Sequence, residues 1–433
     1  MKKPLILRGA RQVGKTTAVH MFAENYQQYI YLNLEIEENA KPFRNYVNIH
    51  RLTEQLFFLQ DKDPDKKKDT LLFIDEIQEV PEAINILRYF YEEISELHVI
   101  AAGSLLETVI GEQIRIPVGR VEYRVVRPFS FDEFLQAMGG TVGKAYHQVP
   151  VKDFAHDRLL ELFHTYAFLG GMPEVVSYYV QNRNPSMLGT VYESIILSYL
   201  DDVEKYARNS SLVQVMRHVI RTVFLEGGQR IKFQGFGNSN YGSREVGEAM
   251  RTLEKTMLLH LIYPTTHPSI PIFPDKKKSP RLQLLDTGML NHFAGLQKEV
   301  LISSDLNAVY QGKVVEHLVG QELLAAKFNV LNELNFWVRD KQNAEAEVDF
   351  VINEGGRLIP IEVKSGFTGR LRSLHSFMDL VKHDLAVRLY GGPLKVDKVK
   401  TLQGKEYRLL NLPYYLAGKI EAYIRWMDSG QKD

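Results

Sequence analysis

Leu5-Ile6-Leu7-Arg8-Gly9-Ala10-Arg11-Gln12-Val13-Gly14-Lys15-Thr16-Thr17 decides the fold of this chain. Residues 9–16 fit G-x-x-x-x-G-K-[ST] without a mismatch, after a short apolar run and ahead of Lys15 to Tyr26, a segment that reads as a helix. The residue types suit one task. Glycines let backbone N–H groups curl around phosphate oxygens, and a helix N-terminus adds positive potential. Lys15 brings a cation to the β- and γ-phosphates of a nucleotide, and Thr16 brings a hydroxyl to Mg²⁺. Gly9, Ala10, Arg11, Gln12, Val13, Gly14, Lys15, Thr16 and Thr17 are therefore the candidate nucleotide-binding residues, with ATP and Mg as the expected cofactors.

Apolar runs at Leu5 to Leu7, Tyr29 to Leu34, Leu71 to Ile74 and Val99 to Ala102 alternate with longer segments, which predicts a parallel sheet flanked by helices. Leu71-Leu72-Phe73-Ile74-Asp75-Glu76 reads as a buried strand ending in two acids. Asp75 at the strand tip is expected to hold the water shell of Mg²⁺, and Glu76 to polarise the attacking water as general base. A base beside the metal ligand favours hydrolysis over transfer to a small acceptor. His98 to Ala102 leads into Gly103-Ser104. There Ser104 is a candidate sensor of the γ-phosphate or, equally, the cap of a following helix. Arg120, Arg124 and Arg127 crowd together. One of them, Arg120 foremost, is a candidate arginine finger toward a neighbour's nucleotide, with solvated surface arginines as the plainer reading.

The rest of the composition sets bounds. A chain of 433 residues exceeds one hydrophobic core, so two to four domains are expected. Lys+Arg and Asp+Glu are both 53, which argues against a uniformly basic nucleic-acid coat but allows local basic patches. Hydrophobic residues at 45% and charged residues at 24% exclude a mainly disordered or fibrous chain. With no cysteine there is no disulfide, no thiolate metal site and no cysteine nucleophile, and the reducing cytosol is the expected home. No secretory leader and no apolar run of about 18 residues is present, so no membrane partner is expected.

Beyond a solvated stretch at Asp61 to Asp69 and a Gly139-Gly140 break, residues 150–205 read as helical around Gly170-Gly171-Met172-Pro173. Val246, Met250, Leu253 and Met257 then recur at helical spacing. A strand from Leu258 to Tyr263, a Pro-rich loop carrying Lys276, Lys277 and Lys278, and a second strand from Leu282 to Leu285 follow. That order is the outline of a winged helix. Arg244, Glu248, Arg251 and Lys255 share the helix side opposite Val246 and Met250. With the lysine tip, they form either a DNA-phosphate contact surface or a solvated polar face.

Taken together, the segments Gly9 to Thr17, Phe73 to Gln78, Val99 to Leu106, Pro117 to Glu122 and Gly170 to Val176 resemble prokaryotic AAA-type ATPases. These carry a C-terminal domain of unknown function with a nuclease-like fold. Ala346 to Ile352 and Ile359 to Gly366 are similar to that domain. The resemblance implies an α/β protein: a P-loop (ASCE/AAA-type) core at 1–138, a helical lid at 139–205, a winged-helix-like segment at 206–300 and a restriction-endonuclease-like PD-(D/E)xK module at 301–433. Lys15, Thr16, Asp75 and Glu76 match the family's nucleotide motifs one for one. Relatives usually have a helical stretch before the first strand, so the residues flanking the base are expected to be missing or to come from elsewhere.

In the C-terminal module, Val348 to Ile352 and Arg357 to Lys364 read as strands joined by a four-residue loop, 353–356. Pairing Ile352 with Arg357 makes Asp349 and Glu362 diagonal neighbours on one face, with Lys364 on the same side. Two carboxylates so placed are candidate ligands for Mg²⁺ or Mn²⁺, and Lys364 a candidate to activate water or hold phosphate. Glu316 would complete the set as the family's helix acid. Three functions remain open: an ATPase acting on or sensing DNA, an ATP-gated docking switch with an inactive nuclease-like module and an unknown protein partner, and an ATP-dependent nuclease.

Overall fold

The computed structural model describes residues 3–103, 119–185, 187–302, 312–329, 333–340, 346–364 and 371–430. Ser104 lies outside them. The chain forms two compact units. The first is made of Met1–Arg127, and the chain returns to it at Thr252–Leu258 and again from Phe328. The second comprises Pro128–Arg251, Leu259–Lys327 and Asn332–Asp433.

Five strands build the sheet of the first unit: β1 (Leu5–Arg8), β2 (Gln28–Asn33), β3 (Thr70–Asp75), β4 (His98–Ala102) and β5 (Glu122–Val125). Their order is β2-β3-β4-β1-β5, and every pairing is parallel. Side chains alternate between faces with period two, so each face needs its own cover. Ile6, Leu72, Ile74, Val99 and Ala101 pack against helices α2 (Glu37–Arg44), α3 (Ile49–Leu59) and α4 (Pro81–Glu93). Leu7, Phe73, Ile100 and Ala102 pack against Val19 and Ala23 of helix α1 (Lys15–Ala23). Both the Gly9 loop and Asp75 consequently emerge at the carboxyl ends of parallel strands, where open α/β sheets bind ligands.

The second unit opens with helices. Ser130 caps Phe131–Met138 in a reciprocal box with Glu133, and Gly139 (φ +74) ends it. Helices His156–Leu169 and Pro173–Asn182 are separated by Gly170-Gly171-Met172. Strands β6 (Leu259–Ile262) and β8 (Arg281–Leu284) pair antiparallel after helix Ser243–Lys255, in the expected order. The intervening segment is less free than a simple wing. Within it β7 (Pro264–Thr265) joins a second sheet beside β9 (Asn335–Val338), Asp275 N–H donates to Pro264 at 2.7 Å, and Lys278 pairs with Asp340 at 3.2 Å.

That second sheet has seven strands, in the order β13-β14-β12-β11-β10-β9-β7. The remaining strands are β10 (Glu347–Glu354), β11 (Arg357–Val363), β12 (Leu385–Tyr390), β13 (Lys395–Lys400) and β14 (Glu406–Pro413). The β10–β11 hairpin departs from the sequence expectation. β10 runs on through Glu354, and the turn is only Gly355-Gly356, with φ +58 and +74. A two-residue turn with positive φ at both positions matches the twist of the strands, and glycine alone adopts it freely. Glu354 pairs with Arg357 and Val351 with Pro360. Continuing that register sets Asp349 opposite Glu362 rather than diagonal to it.

Buried polar groups bind the helices of the second unit to its later elements. Glu322, on helix Lys313–Ala325, accepts from Phe131 N–H at 2.9 Å and Tyr166 Oη at 2.8 Å. Asp286 accepts from Gly171 N–H at 2.6 Å and Met289 N–H at 2.9 Å. Gly170 has no room for a side chain, because a Cβ there would lie 2.2 Å from Asp286 Oδ1. Burial pushes Glu322 up to about 7 and Asp286 up to about 6, with the backbone N–H donors pulling the other way. A carboxyl raised in the folded state binds its proton more tightly there than in the unfolded chain. Its contribution is therefore full at low pH and is lost as pH rises through the folded value. Both tryptophans, Trp337 and Trp426, lie in this unit, so their fluorescence reports on it. Denaturation followed by tryptophan emission should show stability falling between about pH 5 and 7, and Glu322→Gln should flatten that dependence.

Candidate functional site

At the end of β1 the backbone leaves the sheet through Gly9 (φ +155), where a Cβ would sit 2.4 Å from the Val126 carbonyl oxygen. The loop turns again at Gln12 (φ +60) and enters α1 through Gly14 (φ +89). Lys15, buried, folds back over the loop and donates to the carbonyls of Gly9 at 3.0 Å and Ala10 at 2.8 Å. Burial lowers its ammonium to about 8, against the pull of Glu76 and Asp75. A polyphosphate in the loop would restore the charge that burial opposes.

Thr16 Oγ1 donates to Asp75 Oδ2 at 2.8 Å, which joins the loop to the tip of β3. Burial raises Asp75 above the usual carboxylate range, and the Thr16 hydrogen bond opposes the rise. Glu76 follows in the left-handed region (φ +47), an uncommon conformation for a non-glycine residue. Its N–H donates to Asp75 Oδ1 at 3.1 Å, and Gln78 Nε2 holds its carboxylate at 2.5 Å. A hydroxyl and a carboxylate, both oxygen donors, fit Mg²⁺. Lys15, Thr16, Asp75 and Glu76 are thus neighbours at one edge of the sheet.

Two members of this site carried no signal strong enough to be singled out in the sequence. Gln78 stands two residues past Glu76, in a segment too short to show periodicity. Tyr31, on β2, brings its hydroxyl to 3.4 Å from Asp75 Oδ2, a contact made by strand pairing across 44 positions. The arginines behave differently. Arg120 pairs with Glu92 at 3.1 Å on the surface, and Arg124 is exposed on edge strand β5. Arg127 is half-buried, and burial lowers it to about 10.

In the second unit, Lys364 Nζ lies 3.2 Å from Glu362 Oε1. Burial, then the charge of Asp349, pushes both Glu316 and Glu362 up to about 8. Buried Glu362 Oε2 has no hydrogen-bond partner. Asp349 and Glu362 therefore lie close together, opposite one another rather than diagonal. However, among the described residues no group of three or more His, Asp or Glu is arranged to hold a metal ion. Asp349 has protein partners of its own. Asp349 Oδ2 accepts from Val363 N–H at 2.7 Å, and buried Arg281 donates to the Asp349 carbonyl at 2.9 Å while pairing with Glu347. A guanidinium supplies the positive charge beside Asp349. Arg281 was not legible as part of this group, because it lies on β8, far away in sequence.

Arg244, Arg251 and Lys255 are exposed on helix Ser243–Lys255, whereas Glu248 on the same stripe is engaged by Arg208 at 2.8 Å. Lys276 and Lys277 are exposed as well. Among the described residues, no helix is long and apolar enough to cross a membrane.

Residues 1–135 match the family described as AAA domain. Fold, loop and match agree on an AAA-type P-loop domain at the N-terminus. Residues 160–300 and 311–407 match two families described as domains of unknown function, DUF8612 and DUF4143. No curated protein matches the chain. Among solved structures, "Structure of Drosophila ORC bound to DNA" is similar at 14% identity and a TM-score of 0.24, covering 58% of this chain and 62% of that one. The chain thus spans less than two thirds of that structure's length.

The arrangement around Asp349 leads to one expectation. Manganese-supported nicking of supercoiled DNA should be the same for the wild type and Asp349→Ala, since Arg281 already compensates this carboxylate. Nicking that is lost in the variant would assign cleavage to the module.

Proposed function

We propose that this chain is a Mg²⁺-dependent ATPase whose chemistry is confined to the first unit. The Thr16–Asp75 hydrogen bond carries the reading, because it couples the phosphate cradle to the strand tip that also bears Glu76. In this reading the Gly9–Thr17 backbone and Lys15 hold the β- and γ-phosphates, and Thr16 with Asp75 hold the metal. Bound Mg²⁺ would supply charge neutralisation at the phosphates. Glu76, fixed by Gln78, orients water and takes its proton. Lys15→Ala should weaken nucleotide binding, whereas Glu76→Gln should keep binding and lower turnover by about 10²–10⁴-fold. Equilibrium binding and phosphate release, measured on both variants, check this. Wild-type turnover in Glu76→Gln would remove the base assignment.

A second reading concerns DNA. It is favoured by the exposed Arg244, Arg251 and Lys255 on one helix and Lys276 and Lys277 after β7. We propose that these cations, with Lys278, contact the phosphate backbone without reading bases, and that the acidic group near Asp349 serves docking rather than cleavage. Removing Arg251, Lys255 and Lys276–Lys278 together should lower affinity for duplex DNA and reduce the salt slope by about 0.9 per lost phosphate contact. A binding titration across salt concentrations measures both. An unchanged slope would place the contact surface elsewhere.

A further inference from the structure

The face of the first sheet that packs on α1 carries a set of rings beside the nucleotide site. Tyr29 and Tyr31 of β2 stand on it two residues apart, and Phe73 of β3 lies opposite Tyr31. The Tyr31 and Phe73 rings stack at 5.5 Å between centroids, and the His20 ring of α1 meets Tyr31 edge-on at 4.9 Å. Tyr29 Oη is engaged by His20 Nδ1 at 2.9 Å. Core packing accounts for the rings. It does not account for the Tyr31 hydroxyl, which passes beyond Phe73 to reach Asp75 Oδ2.

That reach follows from register. β2 and β3 are parallel with Tyr31 beside Phe73 and Asn33 beside Asp75. Two residues of strand rise by about 6.6 Å, which is roughly the length of a tyrosine side chain lying along its neighbour. Asp75 then receives three donors: Glu76 N–H on Oδ1, and Thr16 Oγ1 and Tyr31 Oη on Oδ2. The first two belong to the nucleotide motifs themselves. The third comes from an edge strand and is the one that can be removed without touching the loop or the base.

We infer that the Tyr31 hydroxyl is a positioning group for Asp75, fixing the rotation of the carboxylate that the metal's shell requires. This rests on the nucleotide reading above. Outer-shell partners of metal-holding carboxylates typically change metal affinity by 10–100-fold. The 3.4 Å separation places Tyr31 at the weak end.

The test is Tyr31→Phe, which keeps the ring and its packing, with Tyr29→Phe as the control that removes a hydroxyl from the same strand face. Binding of a fluorescent ATP analogue to the full chain is measured in EDTA and across a Mg²⁺ titration, and turnover is read across the same titration. In Tyr31→Phe, EDTA binding should equal wild type, and the Mg²⁺ concentration giving half-maximal tightening should rise about tenfold. Turnover in Tyr31→Phe should reach half of its maximum at the same raised Mg²⁺ concentration, and Tyr29→Phe should follow wild type throughout. Superimposable Mg²⁺ curves for Tyr31→Phe and wild type overturn the inference. So does an equal loss of binding in EDTA, which would make Tyr31 merely structural, or a wild-type affinity indifferent to Mg²⁺. A wild type that binds no nucleotide under either condition instead overturns the nucleotide reading itself.

Discussion

One hydrogen bond, from Thr16 Oγ1 to Asp75 Oδ2, sets what the first unit can do. Neither residue forms a site alone. Thr16 is placed by the glycine-framed entry into α1, and Asp75 by a strand whose six residues are all buried. The two meet because parallel strands deliver their carboxyl ends to one edge. Lys15 and Glu76, next to Thr16 and Asp75 in sequence, come to the same edge with them. The sheet supplies rigidity, and the loop supplies donors. Lys15 donates to the carbonyls of Gly9 and Ala10, which ties the loop to the start of α1.

The second unit solves a different problem, that of burying acids. Glu322 and Asp286 are satisfied by backbone N–H groups and a phenol. The Asp349 group is satisfied partly by Val363 N–H and partly by Arg281. A buried charge without a partner is costly, so each such acid must either bind its proton or recruit a cation. Burial raises both Glu362 and Asp349, and each has a cation beside it, Lys364 for the first and Arg281 for the second, while Glu362 Oε2 has no hydrogen-bond partner.

Legibility followed the range of the interactions. The phosphate loop, the strand ending in Asp75-Glu76 and the alternation of strands with helices are local patterns, and each appears where the residues imply. The β10–β11 pairing was legible in kind but not in register. Asn353-Glu354-Gly355-Gly356 offers turn residues throughout, and only the paired glycines with positive φ show where the chain reverses. Gln78, Tyr31 and Arg281 were not legible as site members. Tyr31 and Arg281 reach their partners across long sequence separations, through register or burial, and leave no local motif. Arg120 forms a surface ion pair with Glu92 of α4, a partner 28 positions away that no local motif announces.

The first unit is discontinuous in the chain. Val125 of edge strand β5 donates its N–H to the carbonyl of Phe328 at 3.1 Å, so the unit's last hydrogen-bond partner is encoded some two hundred residues after its main body ends. On the ribosome, at about 5–20 residues per second, that partner emerges roughly 10–40 s after Arg127. During that interval the Val125 N–H lacks its Phe328 partner, and most of the second unit's helices have left the tunnel first. This hydrogen bond is thereby tied to synthesis of the segments inserted into the unit, and a fragment ending near residue 127 would lack the partner that Phe328 gives Val125.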